Sequence, residues 1–263
     1  MVDLFIRARA LLNRILRRHG MQIAHPPQPL PRKLWLFWAQ GEAAAPAIVQ
    51  TCIASWRAHH PGWEITVITA DTLPDYLADI PSGPEVSWAH KSDLLRLRLL
   101  EHHGGVWVDA TCYCARPLDD WLPPLMQAGF FAFHRPVAGR IMGNWFIAAT
   151  PGNHIVTHMA GLVSDYWRRH DRAINYFFFH YMMEWSLLTN RQFRATWRLM
   201  PKLSADGPHT VYAAGRAGQT HVPPEVLAAL PLHKLSWKET LPAPLLAQIT
   251  GGTNPPKPPP NAG

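Results

Sequence analysis

The sequence predicts an α/β layered domain with a mainly parallel central sheet and helical additions. Short apolar or β-branched runs alternate with segments of helical period, the pattern of strand–helix units that feed one sheet. Glycine and proline stand where one period gives way to the next. With 48% hydrophobic and 16% charged residues in a chain of 263, a sizeable core is attainable and wholesale disorder is excluded.

Residues 33–38 (KLWLFW) form a short apolar run, read as a buried strand. Ile48, Val49, Cys52, Ile53 and Trp56 recur at helical spacing over residues 46–60, with Pro46 suited to the first turn. After Gly62, residues 64–69 (EITVIT) are β-branched and strand-like. Residues 89–103 read as a helix stopped by Gly104-Gly105, and 106–108 as a strand. Two more strands are expected at 130–133 and 145–149, followed by a mostly helical, aromatic-rich stretch over 153–198. Three units result: a basic arm and proline-rich linker (1–31), a catalytic-type domain (32–250), and a disordered proline-rich tail (251–263).

Net charge is +7, yet residues 1–20 hold five arginines and one aspartate, so the arm is basic and the body only mildly so. A nucleic-acid protein would spread its lysines and arginines over a face of the fold. In the arm, Leu4, Phe5, Ala8, Leu11, Leu12, Ile15 and Leu16 keep helical spacing between arginines. Such a basic amphipathic helix suits an anionic membrane surface, or packing on its own domain or a partner. No apolar run is long enough for a transmembrane helix. Three cysteines argue against a disulfide framework and for a reducing, cytoplasmic setting, at most peripheral to the inner face of the membrane.

The chemistry concentrates in residues 89–111, AHKSDLLRLRLLEHHGGVWVDAT. Asp93 and Arg96, three apart on a helix, share a face among leucines, where a charge needs a partner. The strand after the glycine pair delivers Asp109 to its carboxyl end, the edge at which open α/β sheets bind ligands. Nothing resembling a dinucleotide fingerprint, a phosphate loop or a nucleophile elbow occurs, and no two well-spaced pairs of zinc ligands are present.

The string SDLLRLRLLEHHGGVWVDAT resembles the signature of glycosyltransferase family thirty-two, above all its bacterial branch, the capsular polysaccharide synthesis proteins. KLWLFWAQG, GNWFIAATPGN, YFFFHYMMEW and HKLSWK agree in order over residues 32–240. The resemblance implies a GT-A-like, Rossmann-type nucleotide-sugar domain and a retaining hexosyltransferase. The donor would be a nucleotide diphosphate sugar, UDP before GDP, and the acceptor a glycan or lipid-linked sugar of bacterial surface polysaccharide synthesis. It further implies that Asp93 and Arg96 bind the donor's sugar hydroxyls, and that Asp109 is the first carboxylate of an Asp-X-Asp motif. Trp38 would stack on the base, His233 join Asp109 on a divalent cation (Mn²⁺ or Mg²⁺), and Lys234 or Lys238 meet the diphosphate; Gly105 is grouped with the donor site.

One departure bears on the metal: the motif reads Asp109-Ala110-Thr111, without its second carboxylate. Asn144 and Trp145 before a strand, and His180 with Glu184 on one helical face, are candidates for the acceptor side or for plain packing. Residues 206–209 (DGPH) read as a turn. A nucleotide-sugar-binding subunit of weak activity, or a Trp-rich carbohydrate-binding module, are the rival functions.

Overall fold

The computed structural model describes residues 29–83, 85–135 and 140–252. The basic arm and the tail from residue 253 lie outside them. Strands β1 (Lys33–Phe37), β2 (Glu64–Ile68), β3 (Gly105–Val108), β5 (Phe130–His134) and β6 (Met142–Ala149) make the central sheet, in the order β2-β1-β3-β6-β5. Pairings β2–β1 and β1–β3 are parallel; β3–β6 and β6–β5 are antiparallel. Four strands therefore share one direction and β6 alone is reversed, so the expected mainly parallel sheet is present with one inverted member. That inversion matters: the first residues of β6 arrive at the edge where β1 and β3 end.

Helices α1 (Ala47–His59) and α2 (Trp88–His102) connect the parallel strands. Each is as the apolar spacing predicts, with Val49, Cys52, Ile53 and Trp56 of α1 buried. Ser87 caps α2 reciprocally with His90: the serine oxygen accepts from the His90 N–H, and His90 Nδ1 accepts from the Ser87 N–H, both at 3.3 Å. Helices α3 (His154–Trp167), α4 (Phe178–Thr189) and α5 (Arg191–Leu199) fill the expected helical stretch.

Two features differ from expectation. Residues 206–209 open a helix, α6 (Asp206–Arg216), since Pro208 falls in the first turn, where a missing N–H breaks no bond. The cysteines Cys112 and Cys114 belong to β4 (Cys112–Cys114), paired antiparallel with β7 (Leu232–Lys234) in a two-stranded ribbon; both strands are too short to show a period.

The aromatic richness is largely core. Trp35, Trp56 and Trp107 are buried, and their indole N–H groups donate to Gly104 O (2.9 Å), Cys112 O (2.8 Å) and Asp109 Oδ1 (3.1 Å). The segment after β4 is tied to the end of α1 through His60, stacked on Trp56: Nδ1–H donates to Trp56 O (2.9 Å) and Nε2 accepts from the Leu118 N–H (2.8 Å). This fixes a neutral tautomer, and burial accordingly lowers the pKa of His60. His60→Phe strands the Leu118 N–H and is expected to cost about 1–3 kcal/mol in urea unfolding. A loss under about 0.5 kcal/mol would show that water replaces the imidazole.

Candidate active site

Asp93 and Arg96 face each other one turn apart on α2, with Arg96 Nη1 3.3 Å from Asp93 Oδ1. Arg96 is only 4% exposed, and each of its nitrogens meets a protein oxygen. Nε donates to Ser92 O (3.0 Å), Nη1 to Asn144 O (2.6 Å) and Nη2 to Ser92 Oγ (2.8 Å). Nη2 also stands 3.7 Å from Asp109 Oδ1, and the guanidinium lies over the Trp107 ring at 4.9 Å. The Asn144 amide donates back to Asp93 Oδ1 at 2.9 Å. Arg96 thus holds Asp93, Asn144 and Asp109 in place, with its donors directed at the protein rather than outward.

Asp109 is the open member of the group, its side chain 31% exposed. Its backbone N–H donates to Trp145 O (2.8 Å), which pins the chain where β3 ends and β6 begins. Thr111 and Lys234 complete this edge. Lys234 Nζ donates to Thr111 Oγ1 (2.6 Å) and Leu235 O (3.2 Å), and stands 3.9 Å from Asp109 Oδ2. The ribbon register explains this: Lys234 is opposite Cys112, so strand alternation turns both to the Asp109 side. The same alternation turns His233 away. It pairs with Tyr113 across the ribbon, its ring 6.3 Å from the Tyr113 ring, and burial lowers its pKa to about 4. The Asp109–His233 pair expected for a metal is not assembled.

Other expected residues divide in two groups. Trp38 follows β1 at the same sheet edge, edge-on to the half-exposed Trp237 at 5.7 Å; its own indole N–H has no partner among the described residues. Lys238 is exposed beside Trp237. His180 is buried on α4 with Nδ1 unpartnered, and burial, then Arg140 and Arg96, lower its pKa to about 4. Glu184 is half-buried one turn along. Trp145 stacks on Phe133 at 5.0 Å, with His209 edge-on at 5.4 Å, so its ring is packing. Gly105 opens β3 at the amino end, away from Asp109. Its φ is +94°, and a Cβ there would stand 2.4 Å from Lys33 O. That close approach of two strands is what requires glycine here. Ser92 and Trp237 join the site without having been among its expected residues. Ser92 lies four residues before Arg96, a helical spacing that signals a contact; Trp237 carries no periodic signal.

A sequence model of the family described as capsular polysaccharide synthesis protein matches residues 14–244. The chain belongs to that family. Among curated relatives, O-glycosyltransferase braB of Annulohypoxylon truncatum is 29% identical over 184 residues, 61% of this chain and 42% of that protein. Glycosyltransferase afumC of Aspergillus fumigatus is 29% identical over 160 residues, 52% of this chain and 40% of that one. The chain spans under half the length of either relative. Among solved structures, PaToxG glycosyltransferase aligns at TM-score 0.45 and 15% identity over 96% of each chain. The galactosyltransferase LgtC, in complex with donor and acceptor sugar analogs, aligns at 0.43 and 12% identity, over 86% of this chain and 98% of that one.

The side chains of this family member do not by themselves enclose a resident divalent cation. Mn²⁺ and Mg²⁺ take several oxygen ligands, of which a protein often supplies one or two carboxylates and a substrate's phosphates and water the rest. Among the described residues no three of His, Cys, Asp and Glu group closely enough to hold one. Beside Asp109, the Thr111 hydroxyl is engaged by an ammonium.

Asp93 gives this family member a signed pH dependence. Burial lifts its carboxyl to about 6, against the pull of Arg96 and of the Asn144 amide and with a push from Asp109. As pH falls, the folded protein takes this proton before the unfolded chain does. Asp93 therefore adds stability as pH drops from about 6 toward the unfolded value of 3.8. Asp93→Asn is expected to flatten that stretch of the stability curve, measured by urea unfolding between about pH 4 and 7. An unchanged slope would assign the ionisation to another group.

Proposed function

We propose that this protein is a retaining hexosyltransferase. It moves a hexose from a nucleotide diphosphate sugar, UDP-linked in preference to GDP-linked, to a hydroxyl of a glycan or lipid-linked acceptor. The observation that carries this is the half-open Asp109 at the carboxyl edge of the sheet, set between the cations of Arg96 and Lys234 and backed by buried Asp93. A lectin has no use for a buried aspartate–arginine–asparagine lattice behind one open carboxylate.

In the reaction the bond from the anomeric carbon to the diphosphate oxygen breaks and its electron pair stays on the diphosphate. The acceptor oxygen bonds the anomeric carbon, and its proton passes to the departing diphosphate. Asp109 accepts a hydrogen bond from a donor hydroxyl, and its charge balances the positive character that grows on the sugar. Arg96 and Asn144 orient the carboxylates, which lowers the reorganisation needed in the transition state. Trp38 and Trp237 offer aromatic surface to the base. His180, neutral at pH 7, serves the sugar or acceptor side. No divalent cation is assigned a step.

The setting is surface polysaccharide synthesis at the inner face of the membrane, as in the bacterial branch of glycosyltransferase family thirty-two. Among the described residues no helix is long and apolar enough to cross a membrane. Contact with the bilayer is assigned to the basic arm, which lies outside them.

The test is thermal unfolding with UDP and GDP, each in EDTA and in Mn²⁺, followed by donor turnover with a panel of UDP-hexoses. Ligand at ~100 times its Kd adds about 2.7 kcal/mol, which is several degrees for a chain this size. Binding with turnover is expected. Binding without turnover would recast the protein as a nucleotide-sugar-binding subunit, and no binding in any condition would overturn the assignment.

A further inference from the structure

In an Asp-X-Asp motif the first and third residues share a cation between them. Here the third residue is Thr111, and the space between it and Asp109 already holds a positive charge. Lys234 Nζ is 2.6 Å from Thr111 Oγ1 and 3.9 Å from Asp109 Oδ2. The ammonium is not a drifting surface charge. Its side chain is 17% exposed, its position is set by the β4–β7 register, and a third contact to Leu235 O at 3.2 Å fixes its direction. A lysine ammonium carries three N–H donors and no acceptor. Thr111 and Leu235 take two, which leaves one for an incoming anion.

A divalent ion bound to Asp109 Oδ2 would lie a few ångströms from this ammonium, so each repels the other. The chain offers it no further carboxylate or imidazole, because His233 faces the far side of β7 and the described residues hold no metal-type cluster, so its other ligands would have to come from diphosphate and water. The pieces fit together: loss of the second carboxylate removes a reason to keep a metal, and threonine in its place supplies the oxygen that braces a lysine.

We infer that Lys234, braced by Thr111, replaces the divalent cation, so that this protein binds and activates its donor diphosphate without metal. The inference rests on the nucleotide-sugar reading above. As the bond from the anomeric carbon breaks, the electron pair moves onto the diphosphate oxygen, and Lys234 donates a hydrogen bond to it while keeping its own proton. Charge-assisted hydrogen bonds of this kind are about twice as strong as neutral ones.

The deciding experiment compares UDP binding to the full chain, stripped with EDTA, with binding in added Mn²⁺, by calorimetric titration. Equal affinity in the two is expected. Lys234→Met is expected to weaken UDP binding in EDTA by about tenfold or more, the loss of one charged hydrogen bond, with Lys234→Arg recovering part of it. Thr111→Val removes the brace but not the charge and is expected to weaken binding by a smaller factor; it serves if Lys234→Met does not fold. Binding that requires Mn²⁺ in the native protein overturns the inference and leaves the donor reading standing. Unchanged affinity in a folded Lys234→Met overturns it too. Absence of UDP and GDP binding in both conditions is the separate result that removes the donor reading.

Discussion

Asp109→Asn is expected to lower the turnover number for donor by about 10²- to 10³-fold, the scale lost with one electrostatic contact to a transition state. Folding should be nearly unaffected. The asparagine oxygen still accepts from Trp107 Nε1–H, now 3.1 Å from Asp109 Oδ1, and the position is half-open to water, which limits any desolvation cost. What disappears is a negative charge between two cations, Arg96 at 3.7 Å and Lys234 at 3.9 Å. Initial rates of nucleoside diphosphate release from a UDP-hexose provide the measurement, with Asp109→Glu as the variant that keeps charge but moves it outward. A variant retaining more than about a tenth of native turnover would show that Asp109 is not where charge matters.

Arg96→Met should act oppositely, on folding first. Asp93 is buried, and removing its cationic partner leaves a carboxylate with only the Asn144 amide. Breaking such a pair costs about 3–5 kcal/mol, on the order of 10 °C in Tm for a chain of this length. The loss should be smaller at pH 5 than at pH 8, because Asp93, already at about 6, is neutralised at the lower pH. The double variant Asp93→Asn with Arg96→Met is expected to recover part of the loss, since neither buried charge remains. If the two single losses simply add, the pair is not coupled and Asp109 or Ser92 is the main partner of Arg96.

The strands and helices of the sheet were legible from composition and spacing, because each is a run long enough to stand out from its neighbours. KLWLFW is an apolar run, EITVIT is β-branched, the leucine-rich run around Asp93 ends at a glycine pair, and each forms the expected element. The pairing of Asp93 with Arg96 was legible from a spacing of three on a helix. The three-residue strands of the ribbon carry no period, and the helix at Asp206 hides behind glycine and proline that usually mark turns. The family's pattern placed Gly105 and His233 at the donor site. Backbone geometry places Gly105 at the wrong end of β3, and the pleat turns His233 from Asp109.

Local sequence thus settles which residues are available: a leucine-flanked Asp93 and Arg96, an Asp109 at a strand's end, and a threonine in the third position of the motif. Spacing along the chain is information about neighbours within one turn or one strand, and those interactions depend on few other residues. Which distant groups meet Asp109 is a property of the whole sheet. Reversal of β6 brings Asn144, 51 residues from Asp93, to hydrogen-bond it. Pairing of β4 with β7 brings Lys234, 123 residues from Thr111, into the motif. No local pattern encodes either meeting, because both follow from strand order and register, which are set by the collective burial of the core.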